Sequence, residues 1–393
     1  MRSQIARMLS AYSEGQQLQQ MDPKSPALLP QQSEFLTIMS ARAYLDFVEH
    51  CRAAGRTATS DLGDGSMRIS ITAAAIVGLM TITVSAPAIA QTKTSLRIGH
   101  VTSIQAIAGQ GSTKLKEVAE SLSGGELEIQ IFPNSQLGGE LEMVSQVRLG
   151  TLDMVMAGSG IVAAIEPTFS ITELPFIWKS REQAWKVLNG PIGAKMFALL
   201  EPKGIKGLAW GVWDMRGFLT NGFDVTKPDD LKGKKIRVIE NPLYVRTIRA
   251  YNGNPVPMAW PEVYSALQQK TIDGVETNYH GMADSKLYEV AKNLVVSDHI
   301  WTATVYMINK NKFDSLSTKL QEAIAKAAKE AGVTMYMNAG KANADAIALM
   351  EKNGVKISRP NRADFEKAVE PVHKYFANLV GADLLEEVKA AQN

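Results

Sequence analysis

The sequence predicts an α/β protein of two lobes joined by a hinge, with a long helix spanning both lobes. Three observations lead there. From Ser95 onward, short apolar strand patterns alternate with helical apolar spacing, the order that builds a parallel sheet covered by helices on both faces. A second alternation of the same kind starts at Lys206, and a long helical stretch runs from Ser317 to Met350. The composition is that of an ordinary folded protein, 45% hydrophobic and 21% charged over 393 residues, a length with room for about two to three domains.

In the first unit, Ser95–Val101 is a strand, and Gln105–Leu122 carries helical spacing at Leu115, Val118, Ala119 and Leu122, closed by Gly124 and Gly125. Leu127–Phe132 is a period-2 strand, Leu141–Leu149 a helix, and Leu152–Ala157 an apolar strand of the kind buried in a parallel sheet. In the second unit, Lys206–Val212 and Gly217–Thr220 read as two strands, followed by a strand at Lys235–Ile239 and a helix from Leu243 to Tyr251. Pro261 opens a helix to Gln268, where a missing N–H costs nothing. Thr271–Glu276 is a short strand, and Ala303–Asn309 a strand that returns to the first sheet. Gly332 and Gly340 interrupt the long helix, so a bend is expected there. The lobes then comprise 91–213 with 303–342, and 214–302 with 343–393.

No charged residue occurs between Arg68 and Lys93. A basic start at Met67 and Arg68, an apolar run from Ile69 to Val84, and small residues at Ala88 and Ala90 make the three parts of a secretory signal peptide over 67–90. The alternative is a membrane-spanning helix, against which stand Pro87 and the absence of a stop-transfer flank. Residues 1–66, with glutamine clusters, prolines and one short amphipathic piece at Phe35–Cys51, show no core-sized pattern. They read as upstream sequence before a true start at Met67, or else as a cytosolic extension before an anchor. The exported chain, Gln91–Asn393, has no cysteine, since Cys51 is the only one; that suits an oxidising compartment.

Charge and motifs exclude several function classes. Forty-two basic against 40 acidic side chains leave a net +2, too little to advertise nucleic acid or an anionic membrane as partner. The five histidines show no metal-ligand spacing, no nucleophile elbow occurs, and the glycines at 109 and 111 fit no phosphate-binding pattern. No metal, cofactor or catalytic residue is therefore expected, and His280 and His299 are the two histidines to check for a place in a pocket.

A series of words does stand out: Phe132–Glu140 (FPNSQLGGE), Leu149–Asp153 (LGTLD), Leu174–Phe176, Asp230–Val238 (DLKGKKIRV), Pro257–Trp260 (PMAW), Glu262–Gln268 (EVYSALQ) and Asp273–Glu276 (DGVE). In this order they resemble the solute-binding proteins of tripartite ATP-independent periplasmic (TRAP) transporters, over nearly all of 96–381. The resemblance implies a two-lobed periplasmic binding protein fold, a monomer, no ATP and no nucleic acid, with TRAP membrane permease subunits as partners. It implies that Arg237 pairs with a ligand carboxylate, which suits the planar guanidinium. By the same resemblance Arg216 is the second pocket arginine, Thr277 and Asn278 present the amide or hydroxyl, Trp260 is the aromatic against the ligand, and Glu140 accepts from ligand hydroxyls. Ser159 and His100 are expected to close over the far end. The loop 157–161 lacks the charged residues of the family's sialic-acid branch, so a C4-dicarboxylate, a sugar acid or a 2-oxo acid is expected, two arginines holding two carboxylates or one carboxylate and a hydroxyl. The competing readings are a sensor partner of a signalling receptor, and a hydrolase or lyase of organic acids.

Overall fold

The computed structural model of the protein describes residues 93–392. The extension 1–66 with Cys51, the expected signal peptide at 67–90 and the expected mature terminus at Gln91 lie outside the described residues. Among the described residues ten strands occur: β1 (Thr94–Gly99), β2 (Leu127–Phe132), β3 (Met154–Gly158), β4 (Ile205–Thr220), β5 (Lys235–Val238), β6 (Asn254–Pro257), β7 (Gly274–Asn278), β8 (Asn293–Val295), β9 (Trp301–Asn309) and β10 (Lys356–Ser358). Hydrogen bonding connects them in the order β2-β1-β3-β9-β4-β7-β5-β6, with β8 joining β4 to β10.

The expected parallel sheets are mixed ones. β1, β2 and β3 run parallel, as do β5, β6 and β7, but β9 is antiparallel to both β3 and β4, and β4 is antiparallel to β7 and β8. The return of β9 to the first group of strands, expected from the sequence, introduces the antiparallel pairs with β3 and β4, and the run of β4 into the second group introduces those with β7 and β8. Every residue of β3 and β9 is buried, which accounts for their unbroken apolar pattern.

β4 departs most from expectation, because the two strands expected at 206–212 and 217–220 are one strand of 16 residues. Its first part, Ile205–Met215, pairs with β9. Its last part, Arg216–Thr220, pairs with β7, and Phe218–Thr220 also pair with β8. The register slips between Val212 and Asp214, and Asp214 there has φ +64°, a left-handed conformation uncommon outside glycine. The irregularity that made the sequence look interrupted is thus a bulge at the passage from one strand group to the other. Arg181 holds this point, its Nη1 3.5 Å from Asp214 and its Nη2 donating to the carbonyl of Tyr336 at 2.6 Å.

The long helix, Thr318–Lys352, is continuous through Gly332 and Gly340 and is capped by the Ser317 side chain. Both glycines are points of close approach: a Cβ on Gly332 would lie 2.0 Å from the Trp210 carbonyl, and one on Gly340 would lie 2.1 Å from Arg181. The helix packs on Ile107–Leu122, on β4 and on Tyr279–Asp284, so it touches elements of both strand groups. Pro261 lies inside a short 3-10 turn, Trp260–Glu262, that leads into the helix Val263–Gln268. Helices at Arg181–Leu188, Pro191–Ala198, Arg362–Ala368, Glu370–Val380 and Ala382–Ala390 add to those expected. The last is tied back to residues 177–195 through Gln392 and Glu387.

Candidate functional site

The parallel strands β1, β5, β6 and β7 end around one cavity, the place where open α/β sheets bind ligands. Val101 and Thr102 follow β1, Ile239 follows β5, Trp260 follows β6, and Thr277 and Asn278 end β7. Trp213 and Arg216 from β4, Arg237 from β5, Glu140 at the start of the helix Glu140–Leu149, and Gly281 complete the lining. The space is tight, a cavity of about 20 Å³, enough for roughly one ordered water.

Two buried arginines face this space, and their surroundings differ. Arg216 is 1% exposed, and its Nε and Nη2 donate to the two carboxylate oxygens of Glu276 at 2.6 and 2.8 Å. The register of β4 on β7 makes this possible: Arg216 stands opposite Asn278, and Glu276 is two residues back on the same face. Burial pushes Glu276's carboxyl up, but the Arg216 charge and hydrogen bonds outweigh it and, with His299, bring it down to about 2. Burial likewise opposes the Arg216 charge, and Glu276 more than restores it, holding the guanidinium above its ordinary value. Arg216 therefore arrives at the cavity with its charge already compensated.

Arg237 is 2% exposed and forms no ion pair among the described residues. Its Nε donates to the Met258 carbonyl at 3.0 Å, and its guanidinium lies 5.3 Å from the Trp260 ring centroid. Nη1 is buried without a hydrogen-bond partner. Burial and the like charge of Arg216 lower its pKa to about 10 against the attraction of Glu276, Glu140 and Glu240. On the facing wall, Glu140 accepts the Gly158 N–H through Oε1 at 2.9 Å. Burial pushes its carboxyl up to about 7, opposed by that hydrogen bond and by both arginines.

The structure brings Arg237, Arg216, Asn278, Thr277, Trp260 and Glu140 together, and leaves out Ser159 and His100. Ser159 is turned inward: its hydroxyl lies 2.6 Å from Glu173 Oε1 and 3.1 Å from the Ala303 carbonyl, and it accepts from Thr172. His100 is buried one residue before the lining pair Val101 and Thr102, and burial lowers its pKa to about 4. His280 and His299 are also buried off the cavity, the first against the Trp213 carbonyl and the second between Ser297, Glu276 and the Phe218 ring. Sequence reasoning missed Trp213, Thr102, Val101, Ile239 and the pairing role of Glu276. It also missed Glu173, a buried acid that takes hydrogen bonds from Ser159 and Tyr244. Only pairing across strands would have revealed the Glu276 role, since 60 residues separate it from Arg216.

Among the described residues no cluster of His, Cys, Asp or Glu could hold a metal ion, and no helix is long and apolar enough to cross a membrane. Residues 98–379 match the bacterial extracellular solute-binding proteins, family 7. The chain is 35% identical over 302 residues to the 2,3-diketo-L-gulonate-binding periplasmic protein YiaO of Escherichia coli K12, covering 76% of this chain and 92% of the relative. It is 32% identical over 330 residues to the C4-dicarboxylate-binding periplasmic protein DctP of Rhodobacter capsulatus, covering 81% and 97%. A TRAP periplasmic solute-binding protein from Polaromonas sp. JS666, solved with bound D-erythronate, superposes with a TM-score of 0.75 at 30% identity, over 77% of this chain and all of that one. With this fold and this match, the chain belongs to the family 7 solute-binding proteins of TRAP transporters, two-lobed periplasmic receptors for organic acids that bind their ligands without chemical change.

Proposed function

We propose that this protein captures a small organic acid, a C4-dicarboxylate, a sugar acid or a 2-oxo acid, through an ion pair between Arg237 and the ligand carboxylate. Closure of the lobes then presents the loaded protein to the TRAP permease subunits. One observation carries the reading: Arg237 is a buried cation lining the cavity, with no ion pair among the described residues and with Nη1 unpartnered. A buried charge in that position is costly until an anion meets it, and a carboxylate matches the guanidinium fork. The acids named for the three similar proteins support the same class of ligand.

The lobe division that fits this mechanism is the one expected from sequence, 91–213 with 303–342 and 214–302 with 343–393. Val101, Thr102 and Glu140 then line the cavity from one lobe, and Arg216, Arg237, Trp260, Thr277 and Asn278 from the other. Hydrogen bonds cross between the lobes: Ser103 N–H to Asp284 at 3.0 Å, and Asn241 Nδ2 to the Gly160 carbonyl at 2.6 Å. An acid larger than a water needs the walls apart to enter, and their return excludes solvent and strengthens each charge-assisted bond. The exported, monomeric protein begins at Gln91 after removal of 67–90. The test is titration calorimetry of the mature protein with D-erythronate, 2,3-diketo-L-gulonate and succinate. Arg237→Met is expected to weaken the bound acid about 100-fold or more; near wild-type affinity removes the proposal.

A further inference from the structure

Three buried polar groups on the cavity-lining residues lack any hydrogen-bond partner: Arg237 Nη1, Trp213 Nε1 and Thr102 Oγ1. Buried polar atoms in folded proteins are paired in the great majority of cases, so unpaired ones gathered at one cavity call for an occupant that completes them. Trp210 and Trp301 also carry unpartnered indole N–H groups, but neither lines the cavity. Arg237 accounts for a carboxylate. Trp213 and Thr102 are left, and they differ in kind: an indole N–H can only donate, whereas a hydroxyl donates and accepts. What meets Trp213 must therefore present an oxygen lone pair.

The charges decide which oxygen. The Arg216 charge is matched by Glu276, which accepts from its Nε and Nη2, so Arg237 is the one cavity-lining cation without an acidic partner among the described residues. The remaining titratable group of the lining is Glu140, an acid. A second carboxylate would be buried against that acid with no uncompensated cation to receive it, whereas a hydroxyl or oxo group requires no counter-charge.

We propose that Trp213 and Thr102 form an oxygen-reading subsite that selects monocarboxylates bearing a neutral hydroxyl or oxo group, and that the site rejects dicarboxylates because Arg216 is committed to Glu276. This deepens the reading above and rests on Arg237 as the carboxylate clamp. Trp213 is a specificity-determining residue here: it stands at the bulge of β4, three residues before Arg216, where the strand passes between its two sets of partners.

The test measures affinities of the mature protein for paired acids that differ only in hydroxyls, D-erythronate with butanoate, glycerate with propanoate and D-gluconate with hexanoate, together with succinate. The wild type should bind at least one hydroxy acid about 100-fold more tightly than its deoxy partner and than succinate. Trp213→Phe keeps the ring and removes the donor; it and Thr102→Val should each narrow the hydroxy-to-deoxy ratio about 5- to 20-fold. Taking the ratio within one variant cancels any effect on folding or closure. An unchanged ratio in both variants, or succinate binding as tightly as the best hydroxy acid, overturns the inference. Arg237→Met separates the layers: if it abolishes binding while the ratio stays unmoved in the other variants, this subsite alone is wrong. If it leaves the hydroxy acid bound, the clamp reading falls and the subsite with it.

Discussion

Arg216 and Arg237 are buried to nearly the same extent on the wall of one cavity, yet one is paired with an acid of its own protein and the other is not. Desolvation opposes both charges. Glu276 reverses that opposition for Arg216, while for Arg237 nothing among the described residues does so at contact distance. Equal burial can thus serve opposite ends. The paired arginine braces β4 against β7; the unpaired one is a cost to the empty protein that a ligand anion relieves.

The contrast breaks most readily at Glu276. Glu276→Gln leaves a buried guanidinium without its counter-ion, and chemical denaturation should show a loss of about 3–5 kcal/mol. The intact pair also has a pH signature. Its carboxyl sits at about 2 when folded, below the ordinary 4.5, so the unfolded chain binds more protons between those values. The pair's contribution is present above about pH 4.5 and is lost as pH falls toward 2.

Arg237→Met should do the reverse to the empty protein. With an unpaired buried charge replaced by an apolar chain, apo stability should hold or rise by about 1–2 kcal/mol even as ligand binding disappears. A melting temperature clearly below wild type would mean that Arg237 is structural like Arg216, and the contrast would vanish.

A third handle is Glu140, whose folded carboxyl is raised to about 7 from 4.5. Here the native state holds the extra proton, so this group's contribution is present below about pH 4.5 and is lost as pH rises through 7. Glu173 and Asp214 are shifted in the same direction by burial. The empty protein should melt at a lower temperature at pH 8 than at pH 5.5, and Glu140→Gln should flatten part of that slope. A slope identical in the variant would place its origin elsewhere. The smallest effect belongs to Ser159→Ala, which removes one buried hydroxyl contact to Glu173; a stability loss of about 1 kcal/mol with affinity unchanged is expected.

Six site residues expected from the family resemblance, Arg216, Arg237, Trp260, Thr277, Asn278 and Glu140, all line the cavity, and each sits within or just beyond a strand, or at a helix start, where local sequence also specifies a place in the fold. Ser159 and His100 lie off the cavity, and the reason is local as well. His100 directly precedes the lining pair Val101 and Thr102, while Ser159 directs its hydroxyl to Glu173 and the Ala303 carbonyl. Trp213 was hidden because the bulge at 212–214 made β4 look like two strands with a loop between them. The Arg216–Glu276 pair cannot be located from sequence, because it depends on the register of β4 against β7. The fold was legible as two α/β units; the mixed sheet was not, because strand direction depends on where the chain returns rather than on any local pattern.

That return governs the order in which the protein can be built. β3 is completed on its open side by β9, and Met154 meets Ile308, a partner roughly 150 residues later in the chain, so loop closure over most of the protein precedes this pairing. Until Trp301–Asn309 is available, β3 and the first part of β4 both keep unpaired edges. The first strand group therefore stays incomplete until the chain has been made through Asn309. Arrival of the one segment Trp301–Asn309 covers both edges together, so a single late strand completes the first strand group and ties it to β4.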